Sequence, residues 1–175
     1  MGGVTIKLEG IGPIADVLKE ISNEIGDKKA RSKVLIPSVK EAMKPVLAMA
    51  KGLSPKDTGL LERTLTIVGR RPSGKDKKSK YINKSDSVIA IVTTKPIPKK
   101  LKQQTVGMSR KEKQKFYESK NRLYDARAVA NEFGTANMSA KPFMRISLES
   151  QAASVATKLG EILNKNILKY RSKSL

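Results

Sequence analysis

The strongest constraint on the fold is a pair of backbone markers, Gly134 and Pro142, inside the stretch from Val129 to Arg145. Gly134 follows an apolar approach that ends at Phe133, and glycine adopts a positive φ there at little cost. Pro142 suits the first turn of a helix, where its missing N–H removes no hydrogen bond. The sequence therefore predicts an element that ends at Phe133, a turn at Gly134, and a long helix that begins near Pro142.

Hydrophobic periodicity predicts most of the elements before this turn. Val4 to Leu8 alternates like a short strand, and apolar residues at helical spacing follow from Pro13 to Ile25. A second helix carries its apolar stripe from Leu35 to Ala50, with Pro37 as a possible start and a kink expected at Pro45.

Two β-branched stretches, Thr64 to Val68 and Ser87 to Thr93, predict an antiparallel hairpin with a long tip. The last element is a helix from Phe143 to Lys169, followed by a flexible tail at residues 169–175. Between the hairpin and this helix, Ser109 and Glu112 match a capping box and predict a short helix, whereas Lys99 to Met108 has no useful periodicity.

The net charge of +20 is concentrated in two basic excursions, residues 69–86 and 95–123. Arg70 to Lys84 carries +6 and Lys95 to Arg122 carries +8, and neither has enough apolar residues for a core of its own. Such charge attracts DNA or an acidic protein face, although a solvated, repulsive surface is the alternative. The candidate DNA-channel or ring-contact residues are the following basic side chains: Arg70, Arg71, Lys75, Lys77, Lys78, Lys80, Lys99, Lys100, Lys102, Arg110, Lys111, Lys113 and Lys115.

The second excursion also carries three large side chains that could order when a partner binds. Phe116, Tyr117 and Leu123 form this candidate ring-contact arm. The segment from Lys95 to Arg122 leaves the second strand, whereas Arg70 to Lys84 joins the two strands, so the two segments are expected at opposite ends of the sheet.

Composition argues against an enzyme and against a membrane protein. The chain has no His and no Cys, which removes the commonest general base and the commonest metal ligands, and no Gly-rich phosphate loop occurs. No catalytic residue, cofactor or metal site is predicted. No apolar run approaches the ~20 residues that span a bilayer, and the N-terminus lacks a signal peptide's apolar centre. We expect a soluble protein without a membrane partner.

Two motifs in order give the chain a family resemblance. The first is Ser54-Pro-Lys-Asp-Thr-Gly-Leu-Leu, directly after a helix and before a strand. The second is Asn131-Glu-Phe-Gly-Thr, followed by Lys141-Pro-Phe-Met-Arg and the long helix. In this order, around a hairpin, they resemble the neck and tail-completion proteins of long-tailed bacteriophages, typified by the gene-ten product of a lambdoid HK phage. The excursion from Lys95 to Arg122 is longer than the family's loop.

The resemblance implies an α+β fold, with a small antiparallel sheet packed against N-terminal helices and the long C-terminal helix, in one domain of residues 1–175. It also implies a structural virion protein at the head-to-tail junction, assembled in the bacterial host cytoplasm. Its partners would be other copies in a ring, six favoured over twelve, a head-closure or connector protein, a tail terminator or tail tube protein, and viral double-stranded DNA in the channel.

The two motifs also supply candidate turn and anchor residues. Glu132 is expected to accept hydrogen bonds from backbone N–H groups or from a Lys or Arg side chain. Phe133, Phe143 and Met144 are expected to pin the C-terminal helix to the sheet, with ordinary core packing as the alternative, while Thr135 to Ser139 face a neighbouring ring. The complete set is Asp57, Thr58, Gly59, Leu60, Glu132, Phe133, Gly134, Thr135, Pro142, Phe143 and Met144.

A second function class is a free basic nucleic-acid-binding protein, which only the charge supports. Aromatic residues make up 4% of the chain, which is low for a surface that stacks on bases. Size in solution, or the presence of the protein in phage particles, would separate the two classes.

Overall fold

A computed structural model describes residues 27–79, 86–123 and 127–174, together with Asp16, Lys19, Asn23 and Ile82. The strand predicted from Val4 to Leu8 lies outside the described residues. Of the helix predicted from Pro13 to Ile25, only the three isolated positions are described, and all three are helical.

The described elements run in the following order. The N-terminal helical region consists of α1 (Asp27–Ala30), a π-helical turn (Arg31–Leu35), α2 (Ile36–Ala42), α3 (Lys44–Leu53) and α4 (Leu60–Thr64). The hairpin follows with β1 (Leu65–Arg70), a 3₁₀ turn (Asp76–Lys78) and β2 (Ile89–Thr94), and then come α5 (Lys99–Gln104), α6 (Arg110–Ser119), α7 (Arg127–Phe133) and α8 (Met144–Ser174).

This arrangement confirms the predicted α+β class, with a two-stranded antiparallel sheet and a long C-terminal helix. The first strand begins at Leu65 rather than Thr64, whose hydroxyl instead donates to the Leu61 carbonyl oxygen at 2.9 Å and closes α4. Because the strands are antiparallel, the segments that follow β1 and β2 leave them at opposite ends, as predicted.

Prolines shape the helices before the sheet. Helix α2 ends at Ala42, and α3 begins at Lys44, one residue before Pro45, whose missing N–H cannot continue the hydrogen-bond ladder. The helix is therefore interrupted at Met43, two residues before the predicted kink at Pro45. Pro37 lies in the first turn of α2, in agreement with a helix start near this residue, although a π-helical turn precedes α2. At the end of that turn the Ile36 N–H donates to the Arg31 carbonyl oxygen, five residues earlier, as in a π-helix.

The chain divides into two compact units. The first comprises Met1–Pro45, Ile67–Ile91 and Glu149–Leu175, and its described core contains Val34, Ser38 and the inner face of α8. The Ser38 hydroxyl donates to the Val34 carbonyl oxygen at 2.8 Å and accepts from Asn166 Nδ2 at 2.9 Å, so a polar pair joins α2 to α8.

The second unit comprises Val46–Thr66 and Val92–Leu148. Its core is one cluster of apolar side chains around Phe143, whose side chain is only 1% exposed. The other buried members are Ala50, Leu60, Leu61, Leu65, Leu123 and Ala128, with Leu47, Val92 and Met144 packed against them.

Helix α8 departs from its predicted bounds at both ends. It begins at Met144, so Pro142 precedes its first turn, and the Phe143 carbonyl oxygen accepts the first helical hydrogen bond from the Ser147 N–H at 3.1 Å. It continues to Ser174, beyond the predicted end at Lys169. Its buried stripe includes Leu163, whereas Leu148 is 40% exposed.

Candidate interaction site

In the second unit, the side chain of Glu132 holds the start of α8. Oε2 of this carboxylate accepts the backbone N–H groups of Phe143 and Met144, both at 2.9 Å. Oε1 accepts the Arg145 N–H at 3.0 Å and its Nε at 2.9 Å. Three of the four N–H groups that a helix start leaves unpaired are thus satisfied by a single side chain. This confirms the predicted acceptor role of Glu132.

Two opposing effects act on the pKa of this carboxyl. Burial would raise the pKa of Glu132, but the hydrogen bonds from the backbone N–H groups of Met144 and Phe143 and from Arg145 outweigh burial, so the pKa lies below its ordinary value of 4.5. The positive end of the α8 dipole favours the same charged form. Glu132 is therefore an ionised structural clamp at neutral pH.

Gly134 lies in the turn between α7 and α8, with φ of +75°, as predicted. A Cβ atom there would lie 2.8 Å from the Met138 carbonyl oxygen and 2.9 Å from the Ala140 nitrogen, both backbone atoms. The loop closes on itself because Thr135 and Met138 form a bridge, and residues 135–140 are all exposed. The position thus requires glycine for two reasons, the left-handed backbone and the close approach.

Replacing Gly134 by Ala should lower the free energy of unfolding by about 1–3 kcal/mol through this strain. Gly107 is the matched control, because its φ is +84° but nothing lies within 4 Å of its Cβ position. Urea melts should show a larger loss for Gly134→Ala than for Gly107→Ala. Equal losses would mean that the backbone contacts of Gly134 contribute nothing.

Phe133 is not the buried anchor that the sequence predicted. Its ring is 66% exposed, and the Arg145 guanidinium lies over it at 4.9 Å from the centroid. The reason is helical geometry, since Glu132 and Ala128 share the inner face of α7 while Phe133 and Val129 share the outer face. Phe143, by contrast, is buried as predicted, and Met144 packs against the same core.

Val129 and Phe133 form an exposed apolar ridge, which we call the α7 ridge. Val129 is 58% exposed, and a shallow groove of about 130 Å³ beside the ridge is lined by Thr93, Thr94 and Met144 among others. The Arg145 guanidinium stacks on the Phe133 ring of this ridge. Aromatic and arginine side chains are enriched in the cores of protein interfaces, so this ridge is a candidate contact surface.

The first motif lies beside the second one in the structure. Gly59 has a φ of +65°, and the Leu60 N–H donates to the Thr58 hydroxyl oxygen at 3.4 Å. Asp57 is exposed. A cavity of about 240 Å³ is lined by residues 55 and 57–61 from the first motif and by Ala130, Asn131 and Met138 at the second. Sequence elements some 70 positions apart therefore line one cavity.

Among the cations at the tip of the β1–β2 hairpin, one forms an ion pair within the turn and the other described ones are exposed. Arg70 Nη2 donates to Asp76 Oδ1 at 3.0 Å, and Ser73 also donates to this carboxylate. Hydrogen bonds from Arg70 and Ser73 hold the pKa of Asp76 well below its ordinary value. Arg70 is thus a turn-forming residue rather than a free contact. Arg71, Lys75, Lys77 and Lys78 are exposed, and Lys80 lies outside the described residues.

The second basic segment folds into two helices, α5 and α6. Helix α5 was not predicted, whereas the capping box of α6 is confirmed: the Ser109 N–H donates to Glu112 Oε2 at 2.7 Å, and the Glu112 N–H donates back to the Ser109 hydroxyl at 3.3 Å. The Thr105 and Tyr117 hydroxyls form a hydrogen bond of 2.7 Å. The sequence did not predict this contact, because the two residues do not lie on the same helix and meet only when α5 folds against α6.

Two of the three side chains in the predicted ring-contact arm are buried within the chain itself. Tyr117 is 3% exposed and Leu123 is 7% exposed, so neither can serve as a free contact surface. Phe116 is partly exposed and contacts the Tyr117 ring edge-on, with centroids 5.6 Å apart. Among the predicted cations of this segment, Lys113 is partly buried, and Lys99, Lys100, Lys102, Arg110, Lys111 and Lys115 are exposed.

Comparison with known proteins gave no relative, since no family model, curated protein or solved structure matches the chain. Among the described residues, no helix has the length and apolar character needed to cross a membrane. In that part of the chain, no group of three or more acidic side chains is placed to hold a metal ion.

Proposed function

We propose that the protein is a structural ring component of the head-to-tail junction of a long-tailed bacteriophage, where it joins the portal-side connector to the tail tube around the DNA channel. The observation that carries this proposal is the common cavity of the two motifs, lined by Gly59 and Leu60 from one and Asn131 from the other. The family resemblance depends on the order of these two motifs along the chain. If both motifs belong to one functional region, they must lie close together in the fold, as they do at this cavity.

The α7 ridge supplies a surface for ring contacts. In a closed ring each subunit uses two different faces, one of which must offer buried apolar area to its neighbour. Val129, Phe133 and the stacked Arg145 have the composition of such a contact. Six copies are favoured, with a head-closure or connector protein on one side and a tail terminator or tail tube protein on the other.

Mass spectrometry of separated phage particles tests the proposed location. The phage that encodes the chain would be grown, and free heads, free tails and complete virions separated on a gradient. The protein should be present in complete virions at a fixed, small copy number. Its absence from virions, combined with abundance in the soluble fraction bound to nucleic acid, would instead support the free nucleic-acid-binding protein.

Phe133→Ser should weaken ring formation at least about tenfold, because it removes the exposed ring that a neighbour would bury. Native mass spectrometry across a range of protein concentrations measures the ring population. Leu168→Ser is the matched control, since Leu168 is 59% exposed but lies outside the ridge. A ring population that Phe133→Ser leaves unchanged, or that both variants lower equally, would exclude the α7 ridge as the contact.

A further inference from the structure

We infer that the two-helix segment of residues 99–119, here called the basic hairpin, is a preformed surface that binds the phosphate backbone of double-stranded DNA. The segment consists of α5, a turn at 105–109 and α6. From the sequence it was expected to be an arm that orders on a partner protein. Its apolar side chains and its charges point to a different role.

The basic hairpin is closed by its own hydrogen bonds. The Thr105 and Tyr117 hydroxyls, each on a residue only 3% exposed, meet at 2.7 Å. Gly107, with φ of +84°, permits the turn, and the reciprocal cap between Ser109 and Glu112 fixes the start of α6. The backbone that carries the cations is therefore held in place before any ligand arrives, which lowers the entropic cost of binding.

The charge of the basic hairpin is almost entirely unopposed. Seven basic and two acidic residues give it a net charge of +5. Of the two acids, Glu112 accepts the Ser109 N–H in the cap, and Glu118 accepts from Gln114 Nε2 at 2.9 Å. In the described part of the chain, no ion pair involves the exposed cations of the basic hairpin.

The exposed cations are spaced along both helices. Lys111 and Lys115 are four residues apart, one turn of α6, and Lys99 and Lys102 are three apart on α5. Repeated positive charge at intervals of roughly one helical turn, about 5.4 Å, suits a row of phosphates. Each such contact releases condensed counterions and makes binding depend on salt.

The remaining surface favours duplex DNA over a protein or a single strand. Val106 is the one strongly exposed large apolar side chain in the hairpin, which leaves little for a protein interface core. Tyr117 is buried, and Phe116 packs edge-on against it, so no aromatic platform is available for unstacked bases. Contacts to phosphates alone would bind any sequence, as a lumen through which a whole genome passes would require.

Fluorescence anisotropy with the full-length protein and two unrelated duplexes of about 30 base pairs tests this inference across about 50 to 200 mM salt. The test variant changes six exposed residues to Gln, which preserves helix propensity: Lys99, Lys100, Lys102, Arg110, Lys111 and Lys115. The control variant makes the same change in charge with six exposed residues elsewhere: Arg71, Lys75, Lys78, Lys158, Lys165 and Lys169.

Wild-type protein should bind both duplexes alike. The test variant should raise Kd at least about 30-fold and make the slope of log K against log salt less negative by about 3 to 5, at ~0.9 per lost contact. The control variant should change Kd less than about 5-fold. Circular dichroism checks that both variants remain helical.

Three results would overturn the inference: equal losses in both variants, tighter binding to single strands than to duplex, or tighter binding to poly-glutamate than to duplex. Tighter binding to single strands would indicate a single-stranded nucleic acid partner, and tighter binding to poly-glutamate would indicate an acidic protein partner. The place of the hairpin in a virion rests on the proposed function, but DNA binding by the isolated chain does not. If the isolated chain does not bind DNA, the head-to-tail proposal is unaffected. If the protein is absent from virions, the inferred DNA-binding surface is unaffected.

Discussion

Glu132→Ala is expected to lower the free energy of unfolding by about 3–5 kcal/mol, since each buried backbone donor left without an acceptor costs about 1–3 kcal/mol. The loss follows from the structure, because the backbone N–H groups of Phe143, Met144 and Arg145 would all lose their acceptor at once. Arg145 would also lose the carboxylate that orients it over the Phe133 ring. Urea-induced unfolding followed by circular dichroism measures the loss.

Glu132→Gln is the matched control, since its amide oxygen can still accept one or two of these hydrogen bonds without the charge. We expect it to cost about 1–3 kcal/mol, less than Ala. A loss below about 1 kcal/mol for Glu132→Ala would mean that the clamp does not stabilise the start of α8.

The same clamp predicts an acid dependence of stability. The folded-state pKa of Glu132 is depressed below 4.5, so its contribution is fully present above that value and is lost as the pH falls through the folded pKa. The difference in stability between wild type and Glu132→Gln should therefore shrink as the pH is lowered below about 4.5. A difference that stays constant into that range would show that the charge of Glu132 is not what Gln lacks.

Phe143→Ala is expected to lower the free energy of unfolding by about 3–5 kcal/mol, because it leaves a cavity in the centre of the second unit's core. The ring is 1% exposed and packs with Leu61, Leu65 and Ala128. It also directly precedes α8, so its loss affects both the core and the helix start. Denaturant-induced unfolding measures the difference in free energy of unfolding between this variant and wild type, provided that the two have the same m-value.

The chain offers a control of the same residue type ten positions earlier. Phe133→Ala removes an equal ring that is 66% exposed and should cost less than about 1 kcal/mol. A loss of less than about 1 kcal/mol for Phe143→Ala would contradict its role as the core anchor.

Local backbone chemistry is what the sequence predicted well. Gly134, Pro45 and the Ser109–Glu112 cap were all identified because each depends on a residue type whose preference is decided within a few positions. The acceptor role of Glu132 was also predicted, although its three backbone donors become neighbours only when the loop after Gly134 folds back.

Burial was predicted less well, because it depends on which face of a helix meets the core. Phe133 is larger and more apolar than Glu132, yet Glu132 is the buried one, since three N–H groups and an arginine outweigh the hydrophobic gain of burying the ring. Helix α5 escaped prediction because it has almost no apolar stripe. Tyr117 was assigned to a partner because its contact with Thr105 depends on tertiary structure.

Head-to-tail joining with purified components tests the central proposal most directly. A phage carrying a deletion of this gene should accumulate filled heads and complete tails that do not join, and adding the purified full-length protein should restore joined particles, counted by electron microscopy. Phe133→Ser protein should restore fewer of them than Leu168→Ser protein. Normal yields of joined particles without the protein would contradict its proposed role at the junction.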